Sequence, residues 1–499
     1  MTSTGTSLGP TDATAEVDVL PTLLPGFSGT ELPDWVRRRL REGLGGVCLF
    51  ARNIADHGQL AALNAEILAA NPRAVIALDE EGGDVTRLFA DVGSPYPGNA
   101  VLGRLDDPAA TEAVAAEVGR ALRRTGCTLT FAPDVDVNND PDNPVIGVRS
   151  FGDDAALVAR HGVAWTRGVQ ATGVGATAKH FPGHGDTATD SHLSLPVVDR
   201  SLDELREREL VPFAAAVRAG AVAVMTSHIV LPQVDPDVPA TFSRAVATGL
   251  LRDELGFTGV LVTDALDMAG ASSPGGTPES AVRALAAGCD LLCLGNDNTD
   301  DQVEAIVAAV RAAVADGSLG ADRVAEAVGR VHAMADALTA ARAARPDPPP
   351  VADEVADDRL AATFDVSAAA VAWRDRAAGR FAVVRLEAQP NIAVGVLPWG
   401  PDLADHAEVV LRPGENLDPD ALGPGPVLVL GRDVHRHPEA RAAVDRLRAG
   451  RDVLVVDLGW PSPDRAYADV ATFGASRRVG QALRGWLSRT GPPSGEPGH

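Results

Sequence analysis

Along the first two-thirds of the chain, short apolar runs alternate with longer segments whose apolar residues recur every three or four positions. The runs are TLLPGF (22–27), GGVCLF (45–50), AVIALD (74–79), CTLTFAPDVDV (127–137), VGATAK (174–179), VAVMTSH (222–228), GVLVTD (259–264) and CDLLCLG (289–295). Their length suits buried strands. Between them lie alanine-rich amphipathic segments such as EAVAAEVGRALRRTG, SLDELRERELVPFAAAVRAG and DQVEAIVAAVRAAVADG, several opening on Asp, Ser or Thr and closing on Gly, as helix caps require. Eight such alternations predict an α/β fold, a (β/α)8 TIM-type barrel over 1–342. An open doubly wound sheet is the competing topology.

The pattern breaks at ARAARPDPPPVADEVADD, proline-rich and without apolar period, which predicts a linker over 343–358. Beyond it, NIAVGVLP, GPVLVLGRD and DVLVVDLGWP read as buried strands, and HPEARAAVDRLRAG and SRRVGQALRGWL as helices. They predict a smaller α/β layered (sandwich) domain over 359–488, followed by a disordered tail over 489–499.

Composition narrows the function. A hydrophobic fraction of 45% with a mean hydropathy of +0.02 fits a soluble globular chain. A net charge of −24 argues against nucleic acid, whose phosphates would be repelled. No apolar run approaches the roughly 20 residues that cross a bilayer, so no membrane partner is expected. The first residues carry no secretory pattern, and a cytoplasmic location is the expectation. Cys48, Cys127, Cys289 and Cys293 all fall in apolar runs and read as buried free thiols rather than disulfides or metal ligands.

Several strand runs end in an ionisable group: Asp79, Lys179 with His180, His228 and Asp264. In a parallel barrel all strand carboxyl ends open on one face, the face that holds active sites. After Lys179 comes HFPGHG, whose Pro182, Gly183 and Gly185 preclude a helix. That weakens a zinc reading of His180, His184 and His192, because such pairs usually share a helical face. In the following TDSH, Asp190 stands two residues before His192, close enough to orient the imidazole and favour its charged form. Lys179 is the one lysine among 44 Lys and Arg side chains. A compact ammonium suits donation to separate single acceptors where arginine's wide fork does not fit.

The segments LDEEGGDVTRL, NPVIGVRSF, KHFPGHGDTATDSHLSLP and VLVTDALDM, in that order, resemble glycoside hydrolase family 3, and most closely its β-N-acetylglucosaminidase branch. The resemblance implies a barrel with a retaining glycosidase site for a terminal β-linked N-acetylglucosamine from small wall- or chitin-derived glycosides. Carried over by motif position, Asp264 would be the nucleophile and His192, held by Asp190, the acid/base. Asp79, Arg87, Arg149, Lys179 and His180 would grip the sugar, with His228 close to the pocket. No metal or organic cofactor is implied. Some members of similar type use phosphate as acceptor and release a sugar 1-phosphate, and mixed β-glucosidase activity is a further alternative. A silent sugar-binding protein is disfavoured, since both nucleophile and acid are present. Two departures stand out. Glu80 occupies a position where the family usually has Gln, and Asp267 adds a carboxylate three residues past Asp264.

Overall fold

Eight short parallel strands carry the first part of the chain in the computed structural model, which describes residues 17–187, 195–345, 355–388 and 391–489. They are β1 (Leu23–Leu24), β2 (Gly46–Cys48), β3 (Val75–Leu78), β4 (Leu129–Thr130), β5 (Gly175–Phe181), β6 (Ala223–Thr226), β7 (Val260–Val262) and β8 (Leu292–Cys293). Strands β2 to β7 form one curled parallel sheet in chain order, and β1 pairs in parallel with β8. A Val262–Leu291 bridge and a hydrogen bond from the Cys48 amide to the Pro25 carbonyl join the two pieces. The strands therefore return on themselves as a TIM-like α/β domain.

The helices between them begin as their sequences require. Asp56, Asp107, Asp154, Ser201 and Thr299 each accept a hydrogen bond from an amide of the first turn. The segment SLDELRERELVPFAAAVRAG is two helices, Leu202–Glu207 and Leu210–Arg218, and not one. Inside the strands, Cys48, Val75, Ala77, Leu129, Phe131, Met225, Val262 and Cys293 pack as one apolar cluster. Val331, Met334 and Leu338 of the helix Ala321–Ala344 join it. A Cβ at Gly175, the first residue of β5, would lie 3.2 Å from Leu338, so this helix covers the amino end of the barrel. The carboxyl end is left for polar groups. All four cysteines are buried free thiols. Among the described residues no helix is long and apolar enough to cross a membrane.

The helix Ala321–Ala344 runs beyond position 342, and Asp357–Ala361 is helical, so both ends of the expected linker are structured. Its proline-rich middle (346–354) lies outside the described residues, as does the expected tail beyond 489. The second unit holds a six-stranded sheet, with β9 (Asp365–Val366), β10 (Ala382–Leu386), β11 (Glu408–Leu411), β12 (Val427–Gly431), β13 (Val453–Asp457) and β14 (Val470–Ala471). Its order is β9-β14-β13-β12-β10-β11, with β9 antiparallel to its neighbour. Alternate residues divide between two cores. Val384, Val427, Val429 and Val455 meet the helix Pro438–Arg448, whereas Val383, Leu428, Leu454 and Val456 share a cluster with Trp373, Leu483 and Trp486.

One expected strand is absent. NIAVGVLP (391–398) is a turn with Gly395 at φ +76°, and the first long strand of the unit is Ala382–Leu386. Its apolar residues mimic a buried run, yet Ile392 and Val396 are exposed at 51% and 88%. The turn lies against the carboxyl rim of the barrel instead of in the sheet.

Candidate active site

The strand-end groups lie on one rim, as the parallel topology requires. Asp79 follows β3, and Lys179 and His180 lie within β5 at the level where Lys179 bridges Asp134. Residues Ala178, Val224 and Leu261 are in register across β5, β6 and β7. Asp264, two residues past β7, thus stands on the same rim as Lys179 and two strands away, roughly 10 Å at ordinary strand spacing.

Lys179 sits between two carboxylates. Its Nζ is 2.8 Å from Asp79 Oδ1 and 2.7 Å from Glu81 Oε1, with the lysine side chain only 2% exposed. Arg149 grips Glu81 from the other side, Nε to Oε2 at 3.0 Å and Nη2 to Oε1 at 2.8 Å. Burial alone would push both carboxyls up. Lys179 and then Arg87 overcome it at Asp79, and Arg149 and Lys179 at Glu81, so both are held well below the usual carboxylate range. Burial likewise opposes the charge on Lys179, but Asp79 and Glu81 raise its pKa. The centre is therefore fully ionised near neutral pH. This answers why arginine is not used at this position: the ammonium meets two separate carboxylates at under 3 Å each, a point-charge arrangement rather than a fork.

His180 is turned by Asp136. The two meet at 2.7 Å between Nδ1 and Oδ2, and since a carboxylate can only accept, Nδ1 carries the proton. Nε2 lies 3.4 Å from Arg149 Nη2. Asp136 also accepts from the His184 amide at 2.7 Å, which pins the start of the glycine loop. Burial works against ionised Asp136, but His180 and its hydrogen bond keep the pKa low. Asp134 is the opposite case: burial and then the Asp136 charge raise it well above the ordinary range, with Arg149 3.4 Å away opposing. Asp134, Asp136 and His180 present atoms close enough together to hold a cation. The Arg149 guanidinium already supplies positive charge at that point, so the set fits an internal ion network better than a metal.

The loop after β5 is shaped by close packing. A Cβ at Gly185 would fall 1.7 Å from the Val137 carbonyl, and Gly183 has φ +129°. His184 is neutral, its pKa pushed down to about 4 by burial. Asp186 then binds Arg200 Nε at 2.6 Å and Arg208 Nη2 at 2.9 Å, tying together the two ends of the intervening segment. Asp190 and His192, on that segment, lie outside the described residues.

The remaining expected residues are placed as follows. Arg87 Nη2 lies 3.5 Å from Asp79 Oδ2 and donates to the Ala393 carbonyl at 2.8 Å. His228 is fully buried, with Nδ1 on Thr241 Oγ1 at 2.8 Å and Nε2 on the Ala265 carbonyl at 3.1 Å. It braces the turn behind Asp264. Asp267 is exposed, and its carboxylate accepts from the Asn296 amide at 2.9 Å. Glu81, Asp134 and Asp136 were missed by reading strand ends alone. The run FAPDVDV carries two aspartates at the end of the fourth strand, the same signal that marked Asp79 and Asp264.

Glu80 is buried beside this network. Oε2 accepts from Thr86 Oγ1 and from the Arg87 and Leu88 amides at 2.8–2.9 Å, and Oε1 has no partner among the described residues. Burial raises its pKa from 4.5 to about 7. The folded state therefore binds more protons than the unfolded one between those values, and stability falls as pH rises through the window. Glu80→Gln is expected to raise stability at pH 8 by up to about 3 kcal/mol, an upper bound from the shift, and little at pH 4. Thermal unfolding at the two pH values checks this; an equal gain at both would contradict it.

Comparison with known proteins identifies the family. Residues 31–334 match the glycosyl hydrolase family 3 N-terminal domain. A β-hexosaminidase of Stenotrophomonas maltophilia is 41% identical over 291 residues, 56% of this chain and 85% of its own. A family 3 β-N-acetylglucosaminidase from Paenibacillus sp. FPU-7 superposes with TM-score 0.80 at 31% identity, covering 95% of this chain and 96% of that one. NagZ of Neisseria gonorrhoeae, in complex with N-trifluoroacetyl-D-glucosamine, covers 64% of this chain and 96% of its own at 34% identity and TM-score 0.54. The chain belongs to glycosyl hydrolase family 3 and is a glycoside hydrolase.

Proposed function

We propose that the protein is a retaining, exo-acting β-N-acetylglucosaminidase. The observation that carries the reading is the buried ionised centre on the barrel's carboxyl rim, Lys179 held by Asp79 and Glu81 with Arg149 behind, on the same rim as Asp264. Fixed cations and carboxylates suit recognition of the hydroxyls and acetamido group of one sugar. The β-hexosaminidase names of the relatives and the glucosamine derivative bound to the Neisseria protein favour N-acetylglucosamine over glucose.

In the first step the Asp264 carboxylate attacks the anomeric carbon while His192, as imidazolium, protonates the departing oxygen. The glycosyl–Asp ester and the free alcohol result. In the second step the neutral imidazole takes a proton from water, whose oxygen displaces Asp264 and regenerates it. Two displacements on one carbon return the β configuration. Asp190 would orient the imidazole and stabilise its charged form.

His192→Ala is expected to lower turnover of a natural β-N-acetylglucosaminyl disaccharide by on the order of 10²–10⁴-fold. The loss should be much smaller on a nitrophenyl glycoside, whose phenolate leaves without a proton. Equal losses on both would remove His192 from the acid role. The product released should be free N-acetylglucosamine with or without added phosphate, and N-acetylglucosamine 1-phosphate would contradict the hydrolytic reading. The nitrophenyl glucoside should turn over more slowly than the N-acetylglucosaminide.

A further inference from the structure

The second unit touches the sugar-gripping arginines through one turn. Asn391 uses both ends of its side-chain amide. Oδ1 accepts from the Ala393 amide at 2.8 Å, closing the turn on itself. Nδ2 donates across to the barrel, to the Pro144 carbonyl at 2.7 Å and the Val145 carbonyl at 3.1 Å. The Val145 carbonyl is shared, since Arg149 Nη1 donates to it at 3.2 Å. Two residues further along the turn, the Ala393 carbonyl accepts from Arg87 Nη2 at 2.8 Å. The turn thus meets both arginines, one directly and one through a common acceptor.

Arg87 needs such a partner. Its separation from Asp79 Oδ2, 3.5 Å, is at the limit of a hydrogen bond, so the Ala393 carbonyl is its short, well-directed contact. Docking elsewhere keeps the turn in place. The Asp84 carboxylate accepts from Arg432 Nη2 at 2.6 Å and the Ala475 amide at 2.8 Å, and Arg436 donates to the Asn143 carbonyl at 3.0 Å.

We infer that Asn391 is a positioning residue for sugar binding: it fixes the Ala393 and Val145 carbonyls that hold Arg87 and Arg149. This rests on the reading above that the two arginines grip the sugar. Their contacts form with the bound sugar in both ground and transition states, so loosening them weakens uniform binding and raises KM more than it lowers kcat.

Steady-state kinetics on a nitrophenyl N-acetylglucosaminide, together with thermal unfolding, test the inference on the full chain. Asn391→Ala should raise KM about 10-fold, the loss of one to two hydrogen bonds, with kcat changed less than about 3-fold. Asn391→Asp, nearly the same size, keeps the oxygen that closes the turn but puts a carboxylate against two carbonyls. It should raise KM at least as much, and it serves if the alanine variant does not fold. Arg87→Ala should raise KM by itself, and adding Asn391→Ala should then cost less than it does in the wild type. A KM unchanged in both Asn391 variants, with only a lowered melting temperature, would overturn the positioning role. So would full additivity with Arg87→Ala. If Arg87→Ala leaves KM unchanged, the sugar-gripping assignment fails and the inference with it.

Discussion

Asp264→Ala is expected to lower kcat on a nitrophenyl β-N-acetylglucosaminide by on the order of 10⁴-fold, about 5.5 kcal/mol of barrier, with KM changed far less. The reason is positional. The carboxylate follows β7 on the rim that carries Lys179, and the turn behind it is braced by the bond between His228 and the Ala265 carbonyl. In the proposed mechanism this carboxylate bonds to the anomeric carbon, so its removal affects the transition state more than the bound substrate. Azide should restore part of the rate, because a small anion can occupy the vacated volume and attack from the same face. The product should be the α-glycosyl azide, inverted relative to the substrate. Asp267→Ala should change kcat by less than about 3-fold, since that carboxylate is exposed and bonded to the Asn296 amide. A loss at Asp267 comparable with that at Asp264 would reverse the assignment.

The second large effect is on stability. Lys179→Met removes a buried charge between Asp79 and Glu81 and leaves two carboxylates to face one another. Removing one partner of such a buried network costs roughly 3–5 kcal/mol, and denaturant unfolding at pH 7 should show that loss. The pH dependence carries a further sign. Both carboxyls are held below their ordinary values of 3.8 and 4.5, so their contribution is present above those values and is lost as pH falls through the depressed range. Lys179→Met should flatten this acid limb. It should leave the Glu80 effect, which lowers stability as pH rises from 4.5 to about 7, in place. Wild-type stability at pH 7 with an unchanged acid limb would show that the ammonium is not what holds the two carboxylates ionised.

How much of this could be read from residues follows from what each residue does. Asp79, Lys179, His180 and Asp264 stand at the ends of apolar strand runs, and a polar group there has to lie on the carboxyl rim whatever the details of packing. Glu81 was harder to recognise, because in LDEEGG it is one of three adjacent acids and only the fold decides which faces Lys179. Asp79 and Glu81 turn inward to the lysine, while Glu80 between them bonds the Thr86 hydroxyl and neighbouring amides. His228 follows the same strand-end rule, and Thr241 and the Ala265 carbonyl give its ring buried partners that no local pattern announces. The turn at Asn391 shows the limit most plainly. Its isoleucine and valines have the spacing of a strand, and only docking against a distant part of the chain makes it a connector to Arg87. Local pattern reports which residues can be buried; it does not report what the other domain will place beside them.

The most direct test is to trap the covalent intermediate with a fluorinated N-acetylglucosaminyl substrate that slows the second step, then to map the modified peptide by mass spectrometry. One sugar bound to Asp264 is the expected result. A label on another carboxylate, or continued turnover through inversion with no adduct, would contradict a retaining site built from Asp264 on the Lys179 rim.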